Sequence, residues 1–308
     1  MTLSPEVLVL IVTHNGADTI RDVFHALPLA LAGVSQRTLI VDNNSGDHTK
    51  RLVENEAGPA LEIISSKINM GVAAAYNLGL KQALKENIRW MFILDQDTIC
   101  AGDCLRILLE AAQRLEKDNK RVGALCSTPR CSKHPDIIHY PYYWRNGKFS
   151  PVVDETSQSS IHPVDSSITS GTLYNTQALD EVEGFREEYF IDFVDHECHL
   201  RLKDHGWGMW WAVRSEVFHN LGYIQKMVDG RLWIEHKPFR YYYMARNMTE
   251  GYYRLGGVKS LFYFWVEALR QMRRIRQVST SSKECSHFFM KGIFHALQGK
   301  SGPLASDH

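Results

Sequence analysis

The chain has 308 residues, of which 44% are hydrophobic and 23% are charged, as is typical of a folded globular protein. Lys and Arg total 35, and so do Asp and Glu, so no net charge favours nucleic acid as a partner. The sequence lacks a basic and then apolar leader and any run of about 18 apolar residues, so we expect neither a secretory signal nor a membrane span. We therefore expect a cytoplasmic protein with one large α/β domain, alone or with a helical addition.

The first part of the chain alternates between short apolar runs and segments with apolar residues at helical spacing. Continuous runs of Val, Ile and Leu are typical of strands that are buried on both faces. The predicted strands are 7–12, 38–41, 61–65 and 89–94, and the predicted helices between them are 18–31, 48–56 and 72–85. This alternation predicts a parallel, doubly wound sheet with right-handed crossovers.

The middle of the chain is less regular. A helix is predicted at 102–115 and a strand at 122–127, and the aromatic, Pro- and Ser-rich residues 130–165 are typical of loops and short strands. Segments 164–174, 189–202 and 207–213 complete the predicted domain. From residue 238 the sequence becomes helical, aromatic and basic.

Polar clusters follow each of the first four predicted strands. In an open α/β sheet the carboxyl ends of the strands border one crevice, where ligands bind. An Asp or Asn there can accept hydrogen bonds from a base or a ribose, a Gly permits close backbone approach, and a helix amino end favours phosphate. Each cluster taken alone is equally typical of a turn. The residues are Thr13, His14, Asn15, Asp42, Asn43, Asn69, Gly71, Asn77, Asp95, Gln96 and Asp97.

Asp95 and Asp97 stand two residues apart at the end of the fourth strand, so their side chains point the same way. Paired carboxylates suit Mg²⁺ or Mn²⁺ that bridges a diphosphate, although an isolated Asp-x-Asp is also common in solvated turns. His219, after the strand 207–213, would complete a site suited to Mn²⁺, whereas a lone His is more often structural. The chain has neither a glycine-rich dinucleotide motif nor a Walker motif.

A second acidic segment contains Asp192, Asp195 and Glu197. Acidic residues near a helix start are stabilised by the helix dipole, so capping explains one of them. Three carboxylates in six residues exceed what capping needs. A carboxylate in an active crevice can deprotonate an attacking hydroxyl group.

Together these motifs resemble the inverting glycosyltransferase family 2, and within it the bacterial rhamnosyltransferase branch. The resemblance covers about residues 5–250. Each motif alone is weak, but their order along the chain matches that of the family. The segments that carry the resemblance are 12–15 (VTHN), 41–45 (VDNNS), 69–73 (NMGVA), 94–97 (LDQD), 169–171 (TSG), 190–197 (FIDFVDHE) and 240–247 (RYYYMARN).

The resemblance implies a Rossmann-like nucleotide-diphospho-sugar transferase fold of A type, with a mostly parallel sheet and C-terminal helices. Thr13 and Asp42 would hold the nucleoside, together with the other strand-end residues. Asp95 would contact the ribose or donor sugar, and Asp97 and His219 would bind Mg²⁺ or Mn²⁺. Asp195 would be the catalytic base. We assign Ser170, Gly171, Asp192 and Glu197 to the sugar and acceptor.

The implied reaction transfers L-rhamnose from dTDP-β-L-rhamnose to a hydroxyl of a lipid-linked saccharide, in O-antigen or other surface polysaccharide synthesis. A UDP-sugar donor (UDP-galactofuranose, UDP-glucose or UDP-N-acetylglucosamine) is the main alternative. Two hypotheses from other classes are a glycosidase, which needs two carboxylates and no nucleotide crevice, and a sugar- or lipid-binding module without catalysis.

We divide the chain into a catalytic domain, 1–237, and a helical extension, 238–308. The nucleotide-binding half of the domain is 1–127, and the acceptor-binding half is 128–237. Within the extension, 259–277 (KSLFYFWVEALRQMRRIRQ) combines helical apolar spacing with five basic residues and suits an anionic membrane surface. The alternative is a helix that packs on the core or on a second subunit, as in a homodimer.

Overall fold

A mixed β-sheet forms the centre of the protein, with helices on both faces. The computed structural model describes residues 6–56, 61–153, 160–219, 222, 224–228 and 231–304. The strands are β1 (Val7–Thr13), β2 (Gln36–Asp42), β3 (Leu61–Ser65), β4 (Trp90–Asp95), β5 (Thr98–Cys100), β6 (Val122–Cys131), β7 (Tyr142–Arg145), β8 (Lys148–Pro151), β9 (Ile161–Val164), β10 (Thr172–Asn175), β11 (Gly208–His219), β12 (Ile224–Val228) and β13 (Arg231–Glu235).

Helices occupy most of the connections and the C-terminal part. They are α1 (Ile20–Ala30), α2 (Thr49–Glu56), α3 (Val72–Lys85), α4 (Cys104–Lys117), α5 (Thr176–Glu181), α6 (Val194–Asp204), α7 (Pro238–Val278) and α8 (Ser282–Leu297), with a 3₁₀ turn at Glu187–Tyr189. The elements predicted over the first 94 residues all occur, with ends within two residues of the prediction.

The strand order of the sheet is β3-β2-β1-β4-β10-β6-β11-β5, with β9 also paired to β11. Strands β3, β2, β1 and β4 pair with one another in parallel, and β11 is parallel to β6. Strand β10 runs antiparallel between β4 and β6, and β5 and β9 run antiparallel to β11. The prediction of a mostly parallel sheet in an α/β fold is confirmed, with antiparallel strands confined to its second half.

Strand β1 is the centre of the hydrophobic core. All seven of its residues are buried, as a continuous apolar run predicts for a strand covered on both faces. Leu8, Leu10 and Val12 belong to one core cluster, which includes residues of α3, and Val7, Val9 and Ile11 belong to another, which includes residues of α1 and α4. The carboxyl ends of the central strands are therefore held by core packing on both faces of the sheet.

The C-terminal helices pack against this core and against each other. Helix α7 changes direction at Gly257, whose φ of 65° lies in the left-handed region that favours glycine. Helix α8 packs on the part of α7 before the kink, where the hydroxyl of Tyr242 lies 2.9 Å from Nδ1 of His295.

The predicted basic helix 259–277 forms the part of α7 after the kink. Phe264, Ala268 and Ile275 are buried, so one face packs on the core. Phe262 and Leu269 are 65% and 73% exposed on the same helix. Among the helices of the described residues, none is both long and apolar enough to cross a membrane.

Shortening a buried side chain of β1 should destabilise the whole fold. We expect Leu10→Ala to lower the free energy of unfolding by about 2–5 kcal/mol, because Leu10 is fully buried and the substitution leaves a cavity. Leu29→Ala is the control, since Leu29 is 68% exposed and should change stability by less than about 0.5 kcal/mol. Urea unfolding measures both, and equal losses would contradict the assignment of β1 as the core.

Candidate active site

A cavity of about 920 Å³ opens at the carboxyl ends of the central strands, bordered by residues of α3, α6 and α7. Its volume is within the usual range of small-molecule sites. Parallel strands bring their ends to one edge, so the polar clusters meet there as the topology predicts. The predicted site residues that line the cavity are His14, Asn43, Asn69, Gly71, Asp95, Gln96, Asp97, Ser170, Asp192, Asp195 and His219.

Asp95, Asp97 and His219 form a compact cluster in this cavity, with one potential ligand atom of each within 4.8 Å of the others. Nδ1 of His219 lies 3.2 Å from Oδ1 of Asp97, and its Nε2 lies 3.8 Å from Oδ2 of Asp95. His219 arrives there because it is the register partner of Thr98 in the β5–β11 pair. The sequence predicts a metal site of Asp97 and His219, and the structure brings Asp95 to the same point.

The carboxylates of Asp95 and Asp97 lie close together where they are partly shielded from water. Burial raises the pKa of Asp95, and the nearby charge of Asp97 adds to this effect. Burial opposes the charging of His219, but its hydrogen bond to Asp97 and the charges of Asp97 and Asp95 outweigh burial and raise its pKa. Two carboxylates and one imidazole are a donor set that fits Mn²⁺ or Mg²⁺, whose charge would offset this concentration of carboxylates.

The hydroxyl groups of Thr98 and Ser170 connect the Asp95–Asp97–His219 cluster to the segment before β10. Oγ1 of Thr98 lies 2.8 Å from Nδ1 of His219 and 2.6 Å from Oγ of Ser170. The backbone N–H of Asp95 donates to the same Ser170 oxygen over 2.8 Å. Ser170 therefore fixes the start of the Asp95–Asp97 segment, in addition to lining the cavity.

The residues at the ends of β1, β2 and β3, which also line the cavity, are hydrogen-bonded to neighbouring strand-end residues. Nδ2 of Asn43 donates to Oδ1 of Asn69 over 3.0 Å, and the N–H of Met70 donates to Oδ1 of Asn43 over 2.9 Å. The backbone N–H of His14 donates to Oε1 of Gln96 over 2.7 Å, and Nε2 of Gln96 donates to the His14 carbonyl over 3.2 Å. Gln96 therefore joins the ends of β1 and β4.

Three residues predicted to bind the donor have structural partners. Thr13 and Asp42 are buried, and the Thr13 hydroxyl donates to Oδ1 of Asp42 over 3.2 Å. Asn15 joins two loops, because its N–H donates to Ser45 Oγ over 3.0 Å and its Oδ1 accepts from the N–H of Gly46 over 2.8 Å. Direct contact of these three residues with a nucleoside stays a prediction.

Gly71 permits the closest backbone approach in the site. Its φ is 83°, and a Cβ atom there would lie 2.6 Å from the carbonyl oxygen of Phe190. The N–H of Val72, the first residue of α3, donates to that same carbonyl over 2.7 Å. The amino end of α3 therefore contacts the segment that leads to Asp195.

Asp195 is the second residue of α6 and lines the cavity. Its side chain is 20% exposed, and its Oδ1 accepts a hydrogen bond of 2.8 Å from the N–H of His196. The His196 ring is held by the Ser166 hydroxyl, which lies 2.6 Å from its Nδ1. An accessible carboxylate with a fixed backbone partner can accept a proton from a hydroxyl group in the cavity.

Asp192 also lines the cavity, but it is paired with a cation that the sequence analysis did not single out. Nε of Arg240 lies 3.2 Å from Oδ2 of Asp192, and a second hydrogen bond joins the guanidinium group to Oδ1. Arg240 is the first residue of the 240–247 motif, so the presence of that motif could have indicated that Arg240 belongs to the site. Tyr76 was also missed; its hydroxyl donates to Oδ1 of Asp95 over 3.3 Å.

Glu197, which we assigned to the sugar and acceptor, does not line the cavity. The residue is fully buried, and its carboxylate accepts hydrogen bonds from Nε of Arg186 over 2.9 Å and from Nε of Arg201 over 2.8 Å. Successive helical residues are about 100° apart, so Glu197 faces roughly away from Asp195 on α6. Glu197 therefore stabilises α6 on the side that faces away from the cavity, through its ion pairs with Arg186 and Arg201.

Asn77 and Gly171 also lie outside the lining of the cavity. Nδ2 of Asn77 donates to the carbonyl of Phe185 over 2.8 Å, and its Oδ1 accepts from the N–H of Phe185 over 2.8 Å. Asn77 therefore binds a neighbouring backbone segment, and its contact with the donor stays a prediction. Gly171 donates its N–H to the carbonyl of Ile93 over 2.8 Å and so joins the segment before β10 to β4.

Comparisons with known proteins identify the family of the chain. The family model described as "Glycosyl transferase family 2" matches residues 8–166, just over half of the chain. The chain is 26% identical over 214 residues to the dTDP-rhamnosyl transferase RfbF of Shigella flexneri, a match that covers 68% of each protein. It is 24% identical to the N-acetylglucosaminyl-diphospho-decaprenol L-rhamnosyltransferase of Mycobacterium tuberculosis, over 59% of this chain and 66% of that protein.

A solved structure with the same architecture is TarS 1–349 of S. aureus in complex with UDP-GlcNAc. The TM-score is 0.55 at 14% identity, and the match covers 96% of this chain and 92% of that one. The predicted A-type glycosyltransferase fold is thereby confirmed, and a transferase is favoured over a glycosidase or a binding module. The chain belongs to glycosyl transferase family 2, and it is a glycosyltransferase.

Proposed function

We propose that the protein transfers L-rhamnose from dTDP-β-L-rhamnose to a hydroxyl group of a saccharide acceptor, with inversion at the anomeric carbon. The observation that carries the proposal is one cavity that contains both the Asp95–Asp97–His219 cluster and the accessible carboxylate of Asp195. The two relatives described above are named as rhamnosyltransferases, which supports this choice of sugar.

In this proposal the donor diphosphate lies at the acidic cluster. Asp97 and His219, with Asp95, would hold Mg²⁺ or Mn²⁺, and the cation would offset the charge that develops on the leaving nucleoside diphosphate. His14, Asn43 and Asn69 present polar atoms at the neighbouring strand ends for the nucleoside.

Asp195 acts as the base. Its carboxylate takes the proton from the acceptor hydroxyl while the oxygen attacks the anomeric carbon on the face opposite the diphosphate. The new C–O bond forms as the bond to the diphosphate breaks, so the configuration inverts in one displacement. One catalytic carboxylate is enough for this reaction, whereas most glycosidases need two.

The acceptor side of the cavity is largely aromatic. Tyr142, Phe149, Phe193 and Tyr252 line it beside Asp195. Apolar and aromatic walls with a few polar groups are usual for small-molecule sites, and they suit the apolar face of a sugar ring. We propose Ser170 and Asp192 as polar neighbours of the sugars. One relative is named N-acetylglucosaminyl-diphospho-decaprenol L-rhamnosyltransferase, which supports a lipid-linked saccharide of O-antigen or another surface polysaccharide as the acceptor.

A lipid-linked acceptor requires that the enzyme reach a membrane surface. The exposed Phe262 and Leu269 lie on the same helix as the basic side chains of Arg270, Arg273 and Arg274, and all five residues are exposed. Apolar anchors flanked by positive charge suit the anionic inner face of the cytoplasmic membrane. The protein would bind this face peripherally.

The donor and metal assignments can be tested by calorimetric titration with dTDP and with UDP, each with Mn²⁺, Mg²⁺ or EDTA. We expect metal-dependent binding that prefers dTDP, because charge neutralisation at the cluster stabilises the bound diphosphate. Asp97→Ala should remove the dependence on metal, whereas Asp136→Ala, a change at an exposed loop residue, should not.

The possible outcomes separate the parts of the proposal. A preference for UDP would replace the donor and keep the mechanism, and the UDP-GlcNAc complex of TarS makes this the main alternative. Unchanged Mn²⁺-dependent affinity in Asp97→Ala would remove the metal assignment. Absence of binding to either nucleotide would contradict the proposed reaction.

Asp195→Asn tests the base. The amide cannot accept the proton, so we expect kcat to fall by about 10²–10⁴-fold while the dissociation constant of dTDP changes by no more than a few-fold. Asp204→Asn, at the exposed other end of α6, is the matched control and should retain activity. Initial rates with dTDP-rhamnose measure kcat, and near-wild-type turnover of Asp195→Asn would remove it as the base.

Membrane binding can be tested with vesicles of phosphatidylcholine, alone or mixed with phosphatidylglycerol. We expect cosedimentation only with the anionic vesicles and less of it at high salt, because the arginines bind the charged surface. Phe262→Ser with Leu269→Ser should weaken binding, and Leu29→Ser, at an exposed leucine of α1, should not. Equal binding of the double variant would contradict the membrane role, and a dimer that dissociates in this variant would identify a second copy instead.

A further inference from the structure

The segment before Asp195 has an unusual backbone conformation. Phe190, Asp192 and Phe193 each have a φ of 65°, in the left-handed region that residues with side chains rarely adopt. Such residues keep this conformation only where the surrounding structure holds them, and they concentrate at functional sites. Asp195 follows two residues after Phe193, so the direction of its side chain depends on this backbone.

Asn247 of α7 holds the segment from one side. Its Nδ2 donates to the backbone carbonyls of Tyr189 over 2.9 Å, of Ile191 over 2.8 Å and of Asp192 over 2.8 Å. Asn247 is fully buried. Buried carbonyls need partners, and here a single amide group serves three of them.

Arg246 fixes the orientation of that amide. Its Nε donates to Oδ1 of Asn247 over 2.9 Å, which leaves Nδ2 directed at the three carbonyls. Its Nη2 donates to the carbonyls of Glu188 over 2.8 Å and Tyr189 over 3.0 Å. The Tyr243 ring, about one turn earlier in α7, stacks on Phe190 with 5.0 Å between centroids, so two successive turns of one motif contact the segment.

The opposite side of the segment contacts α3. Val72 donates its N–H to the carbonyl of Phe190, and Gly71 leaves the space for this approach. The segment is thus held between the donor-side helix and the C-terminal extension. The 240–247 motif supplies Arg240 to Asp192 and Arg246 and Asn247 to the backbone.

We propose that Asn247, oriented by Arg246, is a positioning residue that sets the geometry of Asp195 for transfer. The inference rests on the proposed function, in which Asp195 is the base. It makes the helical extension a part of the active site, because residues 246 and 247 determine the backbone that leads into α6.

Asn247→Ala tests the inference. We expect kcat to fall by about 100-fold, because misplacement of a reacting group by about 1 Å has an effect of this size. The dissociation constant of dTDP should change by less than about five-fold, because the residues proposed to hold the nucleoside, His14, Asn43 and Asn69, belong to other segments of the chain. Thr249→Val is the matched control; its buried hydroxyl donates to the carbonyl of Ala245 within α7 and does not touch the segment.

A comparison of melting temperatures separates positioning from stability. The inference predicts that Asn247→Ala loses far more kcat than Thr249→Val at a similar melting temperature. Wild-type kcat in Asn247→Ala would overturn it, and so would losses of kcat, dTDP affinity and melting temperature that match those of Thr249→Val. If Asn247→Ala does not fold, Arg246→Lys is judged by the same criteria, since Lys cannot reproduce the several directed hydrogen bonds.

The proposed base is tested separately by Asp195→Asn. If that variant is inactive and Asn247→Ala has wild-type kcat, the positioning inference fails and the proposed function stands. If Asp195→Asn turns over normally, the base assignment fails. In that case a low kcat in Asn247→Ala would also overturn the inference, because its effect would not act through Asp195.

Discussion

The site depends on one constraint, the shared parallel register of the first strands. Thr13 is the register partner of Asp42, and Val12 is the partner of both Val41 and Asp95. Side chains that are distant in sequence therefore leave the sheet at the same height and border one crevice. The core on both faces of β1 makes this alignment stiff, so polar groups at its end need little further ordering when a ligand binds.

The second half of the domain adds its groups by a different arrangement. His219 reaches Asp97 through the antiparallel pair of β5 and β11, and Ser170 reaches Asp95 through the segment before β10. The cluster is thus assembled from two places in the chain, with both carboxylates on the segment after β4 and the imidazole at the end of β11, and Ser170 supports it from a third place. This arrangement explains why the cluster is compact and partly shielded from water although its members are up to 124 residues apart.

The sequence predicted the elements of the first half because continuous apolar runs and helical spacing report burial directly. It also predicted Asp95, Asp97, Asp195 and His219 as cavity residues, since strand ends and helix starts have defined positions. It did not indicate that Glu197 and Asn77 lie outside the cavity lining, because both belong to helices that are packed on more than one side, where polarity alone does not indicate which face meets the cavity. Arg240 was missed because its contact with Asp192 depends on the path by which α7 returns to the sheet.

The bend of α7 at Gly257 has a consequence for the outer surface of the helix. The part before the bend carries most of the α7 residues that line the cavity, and the part after it adds Glu267 to the lining and carries exposed apolar and basic side chains such as Phe262, Leu269 and Arg273. Beyond the bend, the buried side chains of Phe264, Ala268 and Ile275 hold the helix on the core, and Phe262 and Leu269 face outward. Substitutions at those outward-facing positions can therefore change the outer surface of the helix while its buried face keeps its contacts with the core.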